Sequence, residues 1–306
     1  MPTPKEARDL RLVYPFLAEK IEVLLGDVKS CHVSPIAQRR VWAAPLPPEA
    51  LIELSPGVRR ASPLFIPVLL ASRLGRWEMR LLLAELMGLY SISEDTQMGL
   101  TQRREPLVTR DELLAFLDKL GSARGTKIVR EALSEAPELA ASPLEAKLYL
   151  RATLPLARGG YGMQSVVLNS SFELRRITSH IRTLQVRKPD LLFIGPADGV
   201  CLDYMGAWHD KRASVDARRR NELLANGFKP YEIYKENYDD LDYMDGLMKA
   251  IRVDLGVEPA HLTYEQQERN RRARRALWSE LEHVSASFYP PVAQPPDDVC
   301  TNFGPN

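Results

Sequence analysis

The chain has 306 residues, 45% of them hydrophobic, which is enough to build ordinary cores and argues against disorder as the default state. Its formal net charge of +1 excludes a globally basic nucleic-acid binder, so any such surface has to be local. The three cysteines, Cys31, Cys201 and Cys300, are an odd set without CxxC spacing, which argues against a disulfide framework and a structural zinc.

The first residues lack the apolar core of a signal peptide, and no apolar run is long enough to span a bilayer. A cytoplasmic protein without a membrane partner is the expectation. In chain order, Leu10, Leu12, Leu17, Ile21, Leu24 and Leu25 fall near helical spacing and predict a helix over 8–26, stopped by Gly26. From 31 to 60 prolines break the pattern, and Val41–Ala43 and Leu51–Leu54 read as strands. Ser62-Pro63 predicts a helix running through Leu74, with serine as cap and proline at its first position. Further helices are expected over 76–89, 109–120 and 123–135.

Glu135-Ala-Pro-Glu-Leu-Ala-Ala separates two helical patterns and suggests a boundary at 136–142. Beyond it Ser142-Pro143-Leu144-Glu145 opens a helix, followed by a Gly159-Gly160 loop and extended segments around 163–186. Two apolar strands come next, Pro189–Ile194 and Val200–Gly206, joined by a turn over 195–199. A basic helix is expected over 212–226, a strand over 231–234, and helices over 239–254 and 263–285. The proline-rich tail from Tyr289 is expected to be mobile. The domains implied are an N-terminal α+β domain (1–140), a second domain (141–257), a C-terminal basic helix (258–288) and the tail (289–306).

Several residue types here can carry chemistry, and each has a plain structural alternative. Asp190 and Asp203 sit on adjacent apolar strands. If Ile194 faces Gly199, the two aspartates are directly opposed, with Cβ atoms about 5 Å apart. A one-residue slip would send them to opposite faces. Two such carboxylates can share a hard divalent cation, Mg²⁺ or Mn²⁺, or can simply be hydrogen-bonded to Arg218, Arg219 or a loop amide. Glu145 lies three residues after Ser142 and fits a capping box. His209 follows Trp208 in a loop, and Lys211 lies just beyond it. Arg218, Arg219 and Arg220 form either a phosphate-facing row or a solvated face paired with Asp216 and Glu222. Arg269, Arg271, Arg272, Arg274 and Arg275 are the densest positive run, able to neutralise several phosphates or merely to solvate a helix. Tyr238–Asp242 reads as an acidic helix start.

As an ordered set, several of these elements resemble the PD-(D/E)XK endonuclease superfamily, and most closely its very-short-patch-repair-like (Vsr-like) domains, widespread in actinobacterial proteins. The elements are Ser142-Pro143-Leu144-Glu145, Gly159-Gly160, Asp190, Asp203-Tyr204-Met205-Gly206 with His209, Asp216-Ala217-Arg218-Arg219-Arg220, and Asn226-Gly227-Phe228 before Tyr231. The resemblance covers about residues 142–256. It implies an α/β fold: a restriction-endonuclease-like three-layer core of order α-β-β-β-α-β-α around a mixed sheet, preceded by a smaller, mostly helical α+β domain. It also implies a Mg²⁺-dependent hydrolase that cuts DNA phosphodiester bonds, in defence or repair. Asp190 and Asp203 would be the metal ligands, with Glu145 beside them, and Arg218–Arg220 would face DNA; beyond the resemblance, the charge of Arg271, Arg272, Arg274 and Arg275 makes them further candidates for DNA contact. Two positions depart from the pattern: Met205 stands where the superfamily usually places lysine, and the second acid, Asp203, is aspartate where close relatives more often have glutamate. Vsr-like relatives use a nearby histidine, which puts His209, or alternatively Lys211, in the polarising role. The first half is similar, more distantly, to the region preceding this domain in AbiEi-like antitoxin relatives. The alternative function is therefore a catalytically silent, toxin–antitoxin-type regulator that binds DNA or a protein partner.

Overall fold

A computed structural model describes residues 3–288 except 16, 18–19, 27–34, 94–98, 103, 176–183, 196–198, 206–212 and 259–260. The first half holds α1 (Pro4–Val13), β1 (Ile21–Leu25), β2 (Ala37–Val41), β3 (Leu51–Ser55), β4 (Val58–Ala61), α2 (Ile66–Leu70), α3 (Arg76–Leu86), β5 (Tyr90–Ile92), β6 (Leu100–Gln102), α4 (Arg110–Leu120) and α5 (Thr126–Leu133). The second holds α6 (Pro143–Thr153), β7 (Val166–Leu168), β8 (Phe172–Arg175), β9 (Leu184–Arg187), β10 (Leu191–Ile194), β11 (Gly199–Tyr204), α7 (Ala213–Ala225), β12 (Phe228–Ile233), α8 (Lys235–Asp239), α9 (Leu241–Asp254) and α10 (Tyr264–Phe288). None of the described helices is long and apolar enough to cross a membrane.

Two sequence expectations are corrected here. The helix over 8–26 is really α1 followed by a strand. Thr3 caps α1 in a box with Glu6, and the helix ends at Val13, just before Pro15. Pro15 lacks an amide donor and disfavours the helical conformation at the residue before it. Ile21–Leu25 then pairs in parallel with Ala37–Val41. The Ser62–Leu74 helix is also shorter than expected: Ser62 O accepts from the amides of Phe65 and Ile66, and only Ile66–Leu70 is helical.

A four-stranded mixed sheet, in the order β12-β11-β10-β7, forms the centre of the second half. β10 runs antiparallel to both β7 and β11, while β11 and β12 are parallel. The parallel pair is joined through α7, as a crossover requires. The β8–β9 hairpin forms a separate two-stranded sheet. Strand parity assigns the two faces of the central sheet. Leu191, Phe193, Val200, Leu202 and Ile233 pack with α6, α9 and α10 in the larger core. Leu192 and Cys201 face the other way and meet Leu223 of α7, with Phe172 and Phe228 beside them. Each fully buried Leu or Phe contributes roughly 1.5–3 kcal/mol to this layering.

α3 belongs to two cores at once. Trp77, Leu81 and Ala84 lie on one stripe and join the core of the second half. Met79, Leu83 and Leu86 lie on another and pack with α4 and α5. Between the stripes Arg80 is buried and donates to Glu135 at 2.7 Å. On α6, Lys147 and Arg151 are one turn apart and both buried. Lys147 reaches Glu282 of α10 at 2.9 Å, and burial holds its ammonium pKa below the ordinary range despite that partner. Arg151 donates to the Tyr238 carbonyl at 2.9 Å and sits 4.5 Å over the tyrosine ring.

The loop after α6 presses against α10 at Gly159, whose φ is +87° and whose added Cβ would lie 2.3 Å from the Ala273 carbonyl oxygen. Gly159→Ala is therefore expected to lower unfolding free energy by about 2–4 kcal/mol in urea titrations. Gly246→Ala, in mid-α9 where a Cβ meets nothing within 4 Å, should be neutral or stabilising by up to about 1 kcal/mol.

Candidate functional site

The register on which the two aspartates depend is the one expected from the loop length. Ile194 pairs with Gly199 and Leu191 with Leu202, and one further step sets Asp190 opposite Asp203. Asp203 shares its sheet face with Cys201, and Asp190 shares that same face with Leu192. Each side chain is tied to backbone across the strand pair. Asp203 Oδ1 accepts from the Asp190 amide at 3.2 Å, and Asp190 Oδ2 accepts from the Tyr204 amide at 2.7 Å. A carboxylate near strand backbone needs such partners, because an unsatisfied buried charge is costly. These donors are main-chain amides, and Arg218 pairs with Glu222 at 3.3 Å, one helical turn away.

Glu145 joins the aspartates through a residue that the sequence reading did not single out. Ser142 caps α6 and accepts from the Glu145 amide at 3.2 Å. The Glu145 carboxylate does not return to the Ser142 amide, as a capping box would have it, but accepts from the Ala141 amide at 2.9 Å and the Ser142 hydroxyl at 3.0 Å. Its other partner is Asn169 Nδ2, at 2.6 Å. Asn169 follows β7 in the left-handed region (φ 48°), and its own amide donates to the Asp190 carbonyl at 3.1 Å. Asparagine tolerates that conformation better than most residues. A continuous polar chain thus runs Glu145–Asn169–Asp190–Asp203 along one end of the sheet. The signal in the sequence was the turn-prone Asn169-Ser170-Ser171 after an apolar strand.

Glu145 is only 7% exposed. Burial is the largest influence on its carboxyl and raises its pKa; the bonds from Ala141, Asn169 and Ser142 and the charge of Lys188 act the other way without cancelling it.

Of the basic residues, Arg220 pairs with Glu232 at 2.8 Å, and Arg187 joins Arg218 on Glu222, which is nearly fully buried. The α10 arginines divide by face. Arg271 pairs with Asp242, and Arg274 bonds Asp245 at 3.0 Å, tying α10 to α9. Arg269, Arg272 and Arg275 are exposed. Asp240 caps α9, accepting from the amides of Asp242 and Tyr243, as the acidic helix start implied. His209, Lys211 and the side chain of Arg219 lie outside the described residues.

The donor set fits a hard cation in type, since opposed carboxylates supply oxygen ligands. Among the described residues, however, no group of three or more His, Cys, Asp and Glu side chains is arranged to hold a metal ion. Among the described residues, the aspartate pair supplies the carboxylate oxygens that an ion would rest on. Compared with known proteins, the chain matches no family model, no curated protein and no solved structure.

The raised pKa of Glu145 carries a sign that can be measured. Its folded value lies above the ordinary 4.5, so its contribution to stability is complete below 4.5 and is lost as pH rises through the folded value. Glu145→Gln removes this titration while keeping one oxygen acceptor. Urea unfolding of both proteins from pH 4 to 8 should show the wild type losing stability relative to the variant as pH rises. A constant difference across that range would refute the assignment.

Proposed function

We propose that the chain is a metal-dependent endonuclease of restriction-endonuclease-like fold, acting on DNA phosphodiesters. The observation that carries this reading is the register that sets Asp190 against Asp203 on one sheet face. The strand order supports it: a helix, three antiparallel strands, a crossover helix and a parallel fourth strand, with helices against both faces. Asp190 and Asp203 would hold Mg²⁺ or Mn²⁺. When bound, such an ion activates water and offsets charge on the phosphorus centre. Asn169 is a positioning residue, coupling the Glu145 carboxylate to the backbone of Asp190. Arg269, Arg272 and Arg275 supply exposed guanidinium groups for the DNA backbone, while Arg271 and Arg274 hold the helix that presents them.

One observation favours a second reading, a silent relative that binds DNA without cutting it. Each aspartate already accepts an amide from the opposing strand, so the pair is a complete structural device even without an ion. The AbiEi-like similarity of the first half suits that role, and a protein partner would belong to it.

The two readings separate on Asp203→Asn, which keeps an oxygen to accept the Asp190 amide but removes the charge. For a nuclease, Mg²⁺- or Mn²⁺-dependent cleavage of single-stranded, duplex or mismatched DNA should fall about 100-fold or more, about 2.7 kcal/mol in the barrier. Calorimetric Mn²⁺ binding should vanish with it. For a silent binder no cleavage occurs and DNA affinity survives the substitution. In either case Arg272→Ala with Arg275→Ala should reduce the slope of log affinity against log salt by about 2. Arg271→Ala should instead lower stability with little change in that slope.

A further inference from the structure

Between β2, α2 and α5 lies a cleft of about 410 Å³, in a part of the chain that carries neither aspartate. Its volume falls within the range of small-molecule sites, roughly 300–1,000 Å³. Three arginines line it, Arg40, Arg73 and Arg124, together with an apolar wall that includes Trp42, Val68 and Leu69. Arg40 is largely buried, donating to Glu22 at 2.7 Å and to the Leu69 carbonyl. Arg73 pairs with the other oxygen of the same carboxylate. Burial works against ionisation of Glu22, but the bonds from Arg40 and Arg73 outweigh it and hold the carboxyl below its ordinary pKa. One carboxylate thus faces two guanidinium groups, and the exposed Arg124 adds a third cation, a surplus of two positive charges among the described residues.

Two further features bear on what would fill it. The Trp42 ring is fixed edge-on to Phe65, with centroids 4.9 Å apart, and its indole N–H is buried with no acceptor among the described residues. The start of α5 borders the cleft, with Gly125 at φ +95° where an added Cβ would lie 2.8 Å from the Val68 carbonyl oxygen. That end of a helix favours an anion.

We propose that this cleft binds a phosphate monoester attached to a planar base, with Arg73 and Arg124 on the phosphate and Trp42 against the base or sugar. A phosphate suits the doubled positive charge and the forked guanidinium donors. The apolar indole wall suits a flat organic body rather than inorganic phosphate alone. The same chemistry occurs in a free nucleoside monophosphate and at the 5′ end of a phosphorylated strand. The inference does not rest on nuclease activity.

The test uses the full chain carrying Asp203→Asn, in EDTA, so that cleavage plays no part. Calorimetry and tryptophan fluorescence would follow titration with AMP, adenosine, and a short oligonucleotide bearing a 5′-phosphate or a 5′-hydroxyl. AMP should bind where adenosine does not, and Arg124→Ala should weaken AMP about tenfold. Arg73→Gln should act in the same direction, and Trp42→Phe should abolish the fluorescence change. Tighter binding of the phosphorylated strand than of AMP assigns the site to strand ends; the reverse order assigns it to free nucleotide. The proposal is overturned if neither phosphate compound binds at up to about 5 mM, near the weak limit of specific binding. It is equally overturned if AMP and adenosine bind alike, or if Arg124→Ala leaves AMP affinity unchanged. Arg124 is exposed, so its variant keeps the test decisive should Arg73→Gln fail to fold.

Discussion

The antiparallel register of β10 and β11 is the constraint on which the second half turns. Side chains alternate along a strand, so one slipped residue would exchange Leu191 and Leu202 with Leu192 and Cys201 across the sheet. It would also part Asp190 from Asp203. The apolar residues enforce the pairing from both sides: Leu191, Phe193, Val200 and Leu202 have one set of helices to satisfy, while Leu192 and Cys201 meet α7. The aspartates gain their opposition from that packing, and their crossed amide bonds lock the strand ends in return.

Charge is distributed with similar economy around this sheet. Most arginines that look available in the sequence are engaged in holding elements together. Arg187 and Arg218 converge on Glu222, Arg220 takes Glu232, and Arg271 and Arg274 bridge to α9. Such pairs contribute modestly where exposed, and where one partner is buried their loss is costly because it strands a charge out of water. On α10 the exposed arginines are Arg269, Arg272 and Arg275, a narrower feature than five arginines in seven positions suggests.

Much of this was legible in the residues. The helices at 110–120, 126–133 and 143–153 follow cap and period signals, and the β10–β11 pairing follows from apolar runs flanking a four-residue loop. The strand at Ile21–Leu25 was missed because Leu and Ile satisfy a helical count as easily as a strand over so short a run. Only its partner at Ala37–Val41, distant in sequence, decides the matter. Asn169 was signalled only as part of a turn, for a different reason: its role depends on a left-handed backbone and on two carboxyl-bearing residues, Glu145 and Asp190, that lie 24 and 21 positions away. The cleft at Trp42 combines residues from three elements, none of which carries a motif.

The double allegiance of α3 bears on how the molecule comes apart. Cutting the chain after Ala140 would strip Trp77, Leu81 and Ala84 of their cover, and tryptophan alone hides 150–250 Å² when packed. The helix at Arg76–Leu86 therefore couples the fate of both cores: loss of one leaves a greasy stripe on the other. The boundary drawn from proline and alanine content thus lies beside a helix whose two faces serve different cores.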